Sequence, residues 1–249
     1  MTAVFVMQCG NGDAMTAVFV MQCGNGGAAM KSGNHASQKG GGGSGGGGSL
    51  PTHEEAQQSM ELVGKGFSGE VYLDKDNNSV IKYAAGPAAS LTQNEIEINQ
   101  LAGELGVAPK VLASSKNAMA TEYLKGFKAL DDKTILENLP KSTQKKIAKN
   151  TVKQLETLHN NKINHNDFRP GNVMFNPRTG SVKIIDYGKS SKDSSFKPSN
   201  DLGRANLWIS GLGGIPVLRE PLVKAAFSSA ANNFNRNSYK EIYSAIDKI

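Results

Sequence analysis

The chain has 249 residues, with 28 Lys and Arg against 22 Asp and Glu, a net charge of +6, and two cysteines. Both cysteines, Cys9 and Cys23, lie near the N-terminus, which excludes a disulfide-stapled scaffold or a thiolate metal site from everything downstream. No stretch approaches the ~20 apolar residues of a membrane span, so no membrane partner is expected.

Residues 1–12 read MTAVFVMQCGNG, residues 15–26 repeat them letter for letter, and residues 40–49 are GGGGS written twice. Natural repeats drift, so residues 1–49 read as an engineered leader, a duplicated tag on a flexible linker, and are set aside from fold reasoning. The leader lacks a charged n-region and its apolar run is too short for a signal peptide. A sharper alternative is a tethered substrate peptide, with Thr2, Thr16, Ser32 and Ser37 as acceptors. A linker of this length spans roughly 17 Å as a coil, so contact with the domain is feasible.

Residues 50–249 are long enough to bury a core without staples. Setting aside Lys31, Lys39 and Asp13 takes the net charge from +6 to +5. Lys141, Lys145, Lys146, Lys149 and Lys153 fall mostly on one predicted helix and read as a solvated face, with an acidic docking partner as the alternative. No aromatic residues interleave with them, so nucleic acid is not expected.

From Glu61 the pattern is strand, glycine turn, strand, turn, strand: residues 61–63, the loop 64–71, residues 71–73, a turn at 75–78 and a strand at 80–83. Pro87 ends that sheet. Thr92 and Glu95 open a helix to about Leu105 with Ile98, Leu101, Ala102 and Leu105 on one face. Residues 107–112 and 118–123 are predicted strands, which makes a five-stranded lobe with one helix. Ser142 is predicted to cap a helix carrying Ile147, Thr151, Leu155 and Leu158, ended by Asn160 and Asn161. Short strands at 173–175 and 182–185 flank a turn, and helices are predicted at 202–208, 221–227 and 239–246.

Four patterns carry chemistry. Gly64-Lys65-Gly66-Phe67-Ser68-Gly69-Glu70-Val71 is a glycine loop, where backbone N–H groups approach phosphates closely because no Cβ intrudes. Read alone it is equally a hairpin turn. Lys82, beside Val80 and Ile81 in a strand, has the reach for α- and β-phosphates. It needs a helix carboxylate to hold it; Thr92-Gln93-Asn94-Glu95 fits a capping box, and periodicity does not separate Glu95 from Glu97. His165-Asn166-Asp167-Phe168-Arg169-Pro170-Gly171-Asn172, followed by Asp186-Tyr187-Gly188, supplies an Asp to accept a hydroxyl proton. The same run supplies two oxygen ligands for magnesium, Asn172 and Asp186. His53 and His159 have no evident partner and read as ordinary surface or core residues.

In that order the patterns resemble the protein-kinase superfamily. The resemblance implies a two-lobed α+β protein-kinase-like fold, with a five-stranded antiparallel N-lobe at about 58–122 and a reduced, mainly helical C-lobe at about 125–249. It implies ATP and Mg2+ as cofactors. Catalytic roles fall to Asp167, Lys82, Arg169 and Asn172, and nucleotide binding to Gly64, Gly66, Ser68, Gly69, Val71, Lys82 and Glu95. Residues 119–126 resemble the hinge between lobes, where Thr121 would be the gatekeeper and the backbones of Glu122 and Leu124 would meet adenine. Arg169 stands where many of these enzymes carry lysine, and His165 is the structural histidine of its motif. The implied activity is phosphoryl transfer to Ser or Thr of a protein by a monomeric enzyme. The compact size resembles the HopBF family of secreted bacterial effector kinases, which implies delivery into host cytoplasm and the host ninety-kilodalton heat-shock chaperone as partner.

Two departures stand out. Asn166 replaces the arginine that reads a phosphorylated activation loop in many kinases, which predicts activity without prior phosphorylation. The stretch from Asp186 to Asp201, which is expected to start a helix, is short and has no Ala-Pro-Glu, so residues 190–195 are expected to be a flexible connector. The rival readings are a small-molecule phosphotransferase of the aminoglycoside or sugar type, and a pseudokinase binding module.

Overall fold

The computed structural model describes residues 50–66, 69–84, 91–193, 196–210 and 214–249. The leader at 1–49 and Phe67, Ser68, Pro87, Ser194 and Ser195 lie outside the described residues, and with them the expectations placed on those positions.

The first lobe is one antiparallel sheet. Its strands are β1 (Glu61–Gly66), β2 (Gly69–Asp74), β3 (Ser79–Ala84), β4 (Val111–Ser114) and β5 (Ala118–Glu122), in spatial order β1-β2-β3-β5-β4. Alternation decides the register: Ile81 and Tyr83 are buried on one face, while Val80 and Lys82 are half-buried on the other. The predicted strand at 107–112 begins late. Val107 and Ala108 are fully buried in the chain that follows the helix, where Val107 and Ala108 N–H both bond Ala102 O, and pairing starts only at Val111.

The lobe carries two helices. The expected one is α2 (Gln93–Glu104), capped by Thr92, whose hydroxyl accepts Glu95 N–H at 3.0 Å. The other, α1 (His53–Ser59), is short and polar and buries Ala56, so it offers no periodic signal. A reciprocal Thr52–Glu55 capping box starts it. His53 then stacks on Tyr83 at 4.8 Å between ring centroids, and Tyr83 donates to Pro51 O at 2.8 Å.

The second lobe gathers round α4 (Lys141–Asn160), whose Ile147, Thr151, Leu155 and Leu158 are all buried. Full burial of each aliphatic side chain contributes about 1.5–3 kcal/mol. The N-cap is Pro140, with Ser142 one residue inside the first turn, because proline suits the entry and needs no donor of its own. Two short pieces precede α4, β6 (Lys128–Ala129) and α3 (Lys133–Glu137). Beyond it come β7 (Ile163–Asn164), β8 (Val173–Phe175) and β9 (Val182–Ile184). β8 pairs with both β6 and β9. The three predicted C-terminal helices are α5 (Pro198–Ser210), α6 (Pro221–Asn232) and α7 (Ser238–Asp247). Asp201 therefore lies in the first turn of α5 and does not start it.

The connector is partly structured. β10 (Ser191–Lys192) pairs antiparallel with β7, with Ser191 opposite Asn164 and Lys192 opposite Ile163. Polar composition hid this, because two residues of backbone pairing leave no side-chain pattern.

Candidate active site

Three elements converge on one ammonium group. β3 presents Lys82, whose Nζ lies 2.8 Å from Glu95 Oε1 on α2 and 3.2 Å from Asp186 Oδ1 in the loop after β9. Thr92 caps the backbone of Glu95, yet the Glu95 carboxylate turns to Lys82. Glu97 is exposed and accepts from Gln93 Nε2 at 2.9 Å. Burial alone would lower the Lys82 pKa, but the charges of Asp186 and Glu95 outweigh it and hold the amine above its ordinary value. Burial would likewise raise Asp186, and the Lys82 charge and hydrogen bond bring it below the usual carboxylate range. The pair is thus charged at neutral pH.

The backbone at this point is strained. Asp186 has φ 64° and Asn166 has φ 60°, left-handed conformations that non-glycine residues adopt at a cost of order 1–3 kcal/mol. Local bonds hold both. Ile185 N–H donates to Asn172 O at 2.9 Å, tying the two segments together. His165 Nε2–H donates to Ile185 O at 3.0 Å, and its Nδ1 accepts Asp167 N–H at 3.3 Å. Complete burial lowers the pKa of His165, so the imidazole stays neutral and joins the two loops as a strut.

Asp167 sits between two cations. Arg169 Nε and Lys189 Nζ each lie 3.5 Å from its Oδ2. Asn172 Nδ2 donates to Asp167 O at 2.9 Å, which leaves Asn172 Oδ1 as the atom able to meet a cation. With the Asp186 carboxylate this makes two hard oxygen donors. Among the described residues no cluster of three His, Asp or Glu forms a complete protein cage for a metal. Two protein oxygens completed by phosphate and water is the way Mg2+ is bound at nucleotide sites, so the residues fit that ion.

The glycines serve different ends. A Cβ on Gly66 would meet open space, so the position is clear for a ligand. Gly69, at φ 147°, faces the next strand: a Cβ there would stand 1.9 Å from Tyr83 O, so packing alone demands glycine. Gly64 is buried and pairs with Val71, which in turn pairs with Lys82. At the far end of β5, Glu122 N–H donates to Lys110 O at 2.9 Å and the Glu122 carboxylate accepts Lys110 N–H at 3.0 Å. With its amide engaged, Glu122 can offer a ligand only its carbonyl. Leu124 follows at the crossing between lobes, where its carbonyl accepts Phe127 N–H at 3.1 Å.

Asp201 is the residue that sequence reasoning passed over. Fully buried, it accepts His165 N–H at 2.7 Å and Asn166 N–H at 2.8 Å, and so holds the backbone just before Asp167. His159 Nε2 donates to it at 3.1 Å. Burial would raise its pKa, but these donors outweigh the effect and lower it. The available signal was an acid on the apolar face formed by Leu202, Ala205 and Ile209. Asn166 adds a neutral clamp: its Nδ2 donates to Lys189 O at 3.1 Å and to Ser191 Oγ at 2.9 Å.

The family model described as protein kinase domain matches residues 57–205, more than half of the chain. Serine/threonine-protein kinase TIO of Arabidopsis thaliana is 31% identical over 144 residues, 52% of this chain and 10% of its own length. Mitogen-activated protein kinase kinase 5 of Leishmania mexicana is 33% identical over 140 residues, 52% of this chain and 26% of its own length. Probable serine/threonine-protein kinase fnkB of Dictyostelium discoideum is 31% identical over 97 residues, 38% of this chain and 17% of its own length. The matched region thus spans a tenth to a quarter of these relatives. Because the family match begins inside α1 and ends inside α5, it takes in the whole of the site, and the chain belongs to the protein kinase domain family.

Proposed function

We propose that this domain transfers a phosphoryl group from ATP to a Ser or Thr hydroxyl of a protein. The observation that carries the proposal is the single ammonium of Lys82 bonded at once to Glu95 and Asp186, beside a loop that presents Asp167. In this reading Lys82 holds the nucleotide phosphates and Glu95 holds Lys82. Asp186 and Asn172 hold Mg2+, Asp167 orients the acceptor hydroxyl and takes its proton, and Arg169 steadies the transferred group. ATP supplies the phosphoryl group, and Mg2+ neutralises charge on its phosphates. Gly64, Gly66, Gly69 and Val71 shape the cover over the nucleotide, with Glu122 and Leu124 at its adenine end. The names of the three relatives, two serine/threonine-protein kinases and a mitogen-activated protein kinase kinase, support a protein acceptor.

The compactness of the domain and its resemblance to HopBF-like effectors extend the proposal to a secreted bacterial enzyme acting inside a host cell, with the ninety-kilodalton heat-shock chaperone as target. Among the described residues no helix is long and apolar enough to cross a membrane. Incubation of the purified chain with labelled ATP, Mg2+ and host lysate, followed by mass identification of the labelled species, tests both levels. A labelled protein that is not the chaperone refutes the finer reading. Label in small molecules alone, or none at all, refutes the coarser one.

A further inference from the structure

The helix farthest along the chain reaches the chemistry through a continuous line of buried bonds. Tyr239, in the first turn of α7, bonds through its hydroxyl to His159 Nδ1 near the end of α4. On the other side of that ring, His159 Nε2 bonds Asp201 Oδ2 at 3.1 Å, and Asp201 accepts the amides of His165 and Asn166. His159 is 4% exposed, Tyr239 7% and Asp201 not at all, so water does not substitute for any link.

Proton accounting gives the line a direction. Among the described residues Asp201 faces only donors: two amides, Asn164 Nδ2 at 3.5 Å and His159 Nε2. Nε2 must therefore carry hydrogen. Among the described residues His159 Nδ1 is the partner of the buried Tyr239 hydroxyl, so the hydroxyl donates to it and Nδ1 serves as the lone-pair nitrogen. The same hydroxyl places the imidazole in the tautomer that can donate to Asp201. Phe196 and Phe234 meet the ring edge-on, at 5.7 and 6.3 Å, and close its remaining sides.

We infer that Tyr239 is a positioning residue for the catalytic loop, acting through His159 and Asp201 to hold Asn166 in its left-handed conformation and so to aim Asp167. Asn166, at φ 60°, relaxes if Asp201 turns, and Asp167 is the next residue. A displacement of about 1 Å at reacting groups costs up to about a hundredfold in rate, so a partial release costs less. The kinetic side of this inference rests on the phosphoryl-transfer reading, whereas the tautomer does not.

The test is Tyr239→Phe, which removes the hydroxyl and keeps the ring. Turnover per folded molecule is expected to fall about tenfold, with KM for ATP within about twofold of wild type because Lys82 and the sheet are untouched. In a His159→Gln background the same change should have no further effect, since the line is already cut. Long-range 1H–15N spectra of the wild-type protein should show His159 as the Nε2–H tautomer, assigned by its loss in His159→Gln. In Tyr239→Phe the Nδ1 resonance of His159 should move. Unchanged turnover, an effect fully additive with His159→Gln, or an unmoved Nδ1 resonance would each overturn the inference. A wild-type protein with no transferase activity defeats the kinase reading instead, and the spectra then decide the relay alone.

Discussion

Lys82 and Glu95 meet at 2.8 Å although Glu95 also has its backbone capped by Thr92, so one residue anchors the first turn of a helix and holds the site lysine. Lys82→Met, Asp167→Ala and Asp186→Ala are each expected to reduce phosphoryl transfer at least a hundredfold, because electrostatic positioning supplies most of this catalysis. Glu95→Gln should lower transfer by tenfold or more, and Glu97→Gln should leave it within twofold. Initial rates with ATP and Mg2+ check this, and substantial turnover by Asp186→Ala would remove the magnesium assignment.

The neutral clamp of Asn166 on Lys189 and Ser191 orders the segment after Gly188 without any phosphate. Protein freed of phosphate by a phosphatase, itself then removed, is expected to start turnover without a lag. A lag abolished by prior incubation with ATP, and restored by Ser190→Ala with Ser191→Ala, would show that the segment is gated after all.

Tyr187 is fully buried and its hydroxyl meets no hydrogen-bond partner among the described residues. An unpaired buried hydroxyl costs about 1–3 kcal/mol, so Tyr187→Phe should stabilise the fold by about 1 kcal/mol. Chemical denaturation would read this as a higher midpoint at an unchanged slope, and a lower midpoint would mean that a water or ligand pairs the hydroxyl.

Glu70 lies on β2 beside the glycine loop. Lys65 first, then Tyr72 and His53, hold its pKa down from 4.5 to about 2. Because the folded value is the lower one, the stabilisation is complete above pH 4.5 and is lost as the pH falls toward about 2. Glu70→Gln should therefore melt a few degrees below wild type at neutral pH, with the gap closing across that window. A gap that persists at the acid end would assign the effect to packing.

Much of this architecture was legible from sequence because it is written in periodicity. Ile147, Thr151, Leu155 and Leu158 announce α4, and the alternation through Ile81 and Tyr83 announces β3. The features that escaped are those made by backbone or by single side chains. β10 pairs over two residues with no apolar pattern, α1 buries Ala56, and the strand at 111 starts late because Val107 and Ala108 bond back to the end of α2. Asp201 escaped for a different reason. Its importance lies in two amides 35 and 36 residues away in sequence, and no local window contains them. The opposite error also occurs: Gly69 has the look of a phosphate-loop glycine, while the Tyr83 carbonyl alone suffices to require it.

The helix that carries Glu95 is fastened at both ends. At its start Asn94 Nδ2 donates to Ser190 O at 2.9 Å, and just past its end Val107 O accepts Ile184 N–H at 2.9 Å. Lys183 Nζ adds a bond to Gly106 O at 2.7 Å. Swinging this helix outward would break the Lys82 ion pair and strip partners from the loop at Ser190 and from β9 in the same movement. Such a joint does not loosen one bond at a time, and any outward movement of Glu95 must undo the fastenings at both ends of its helix together.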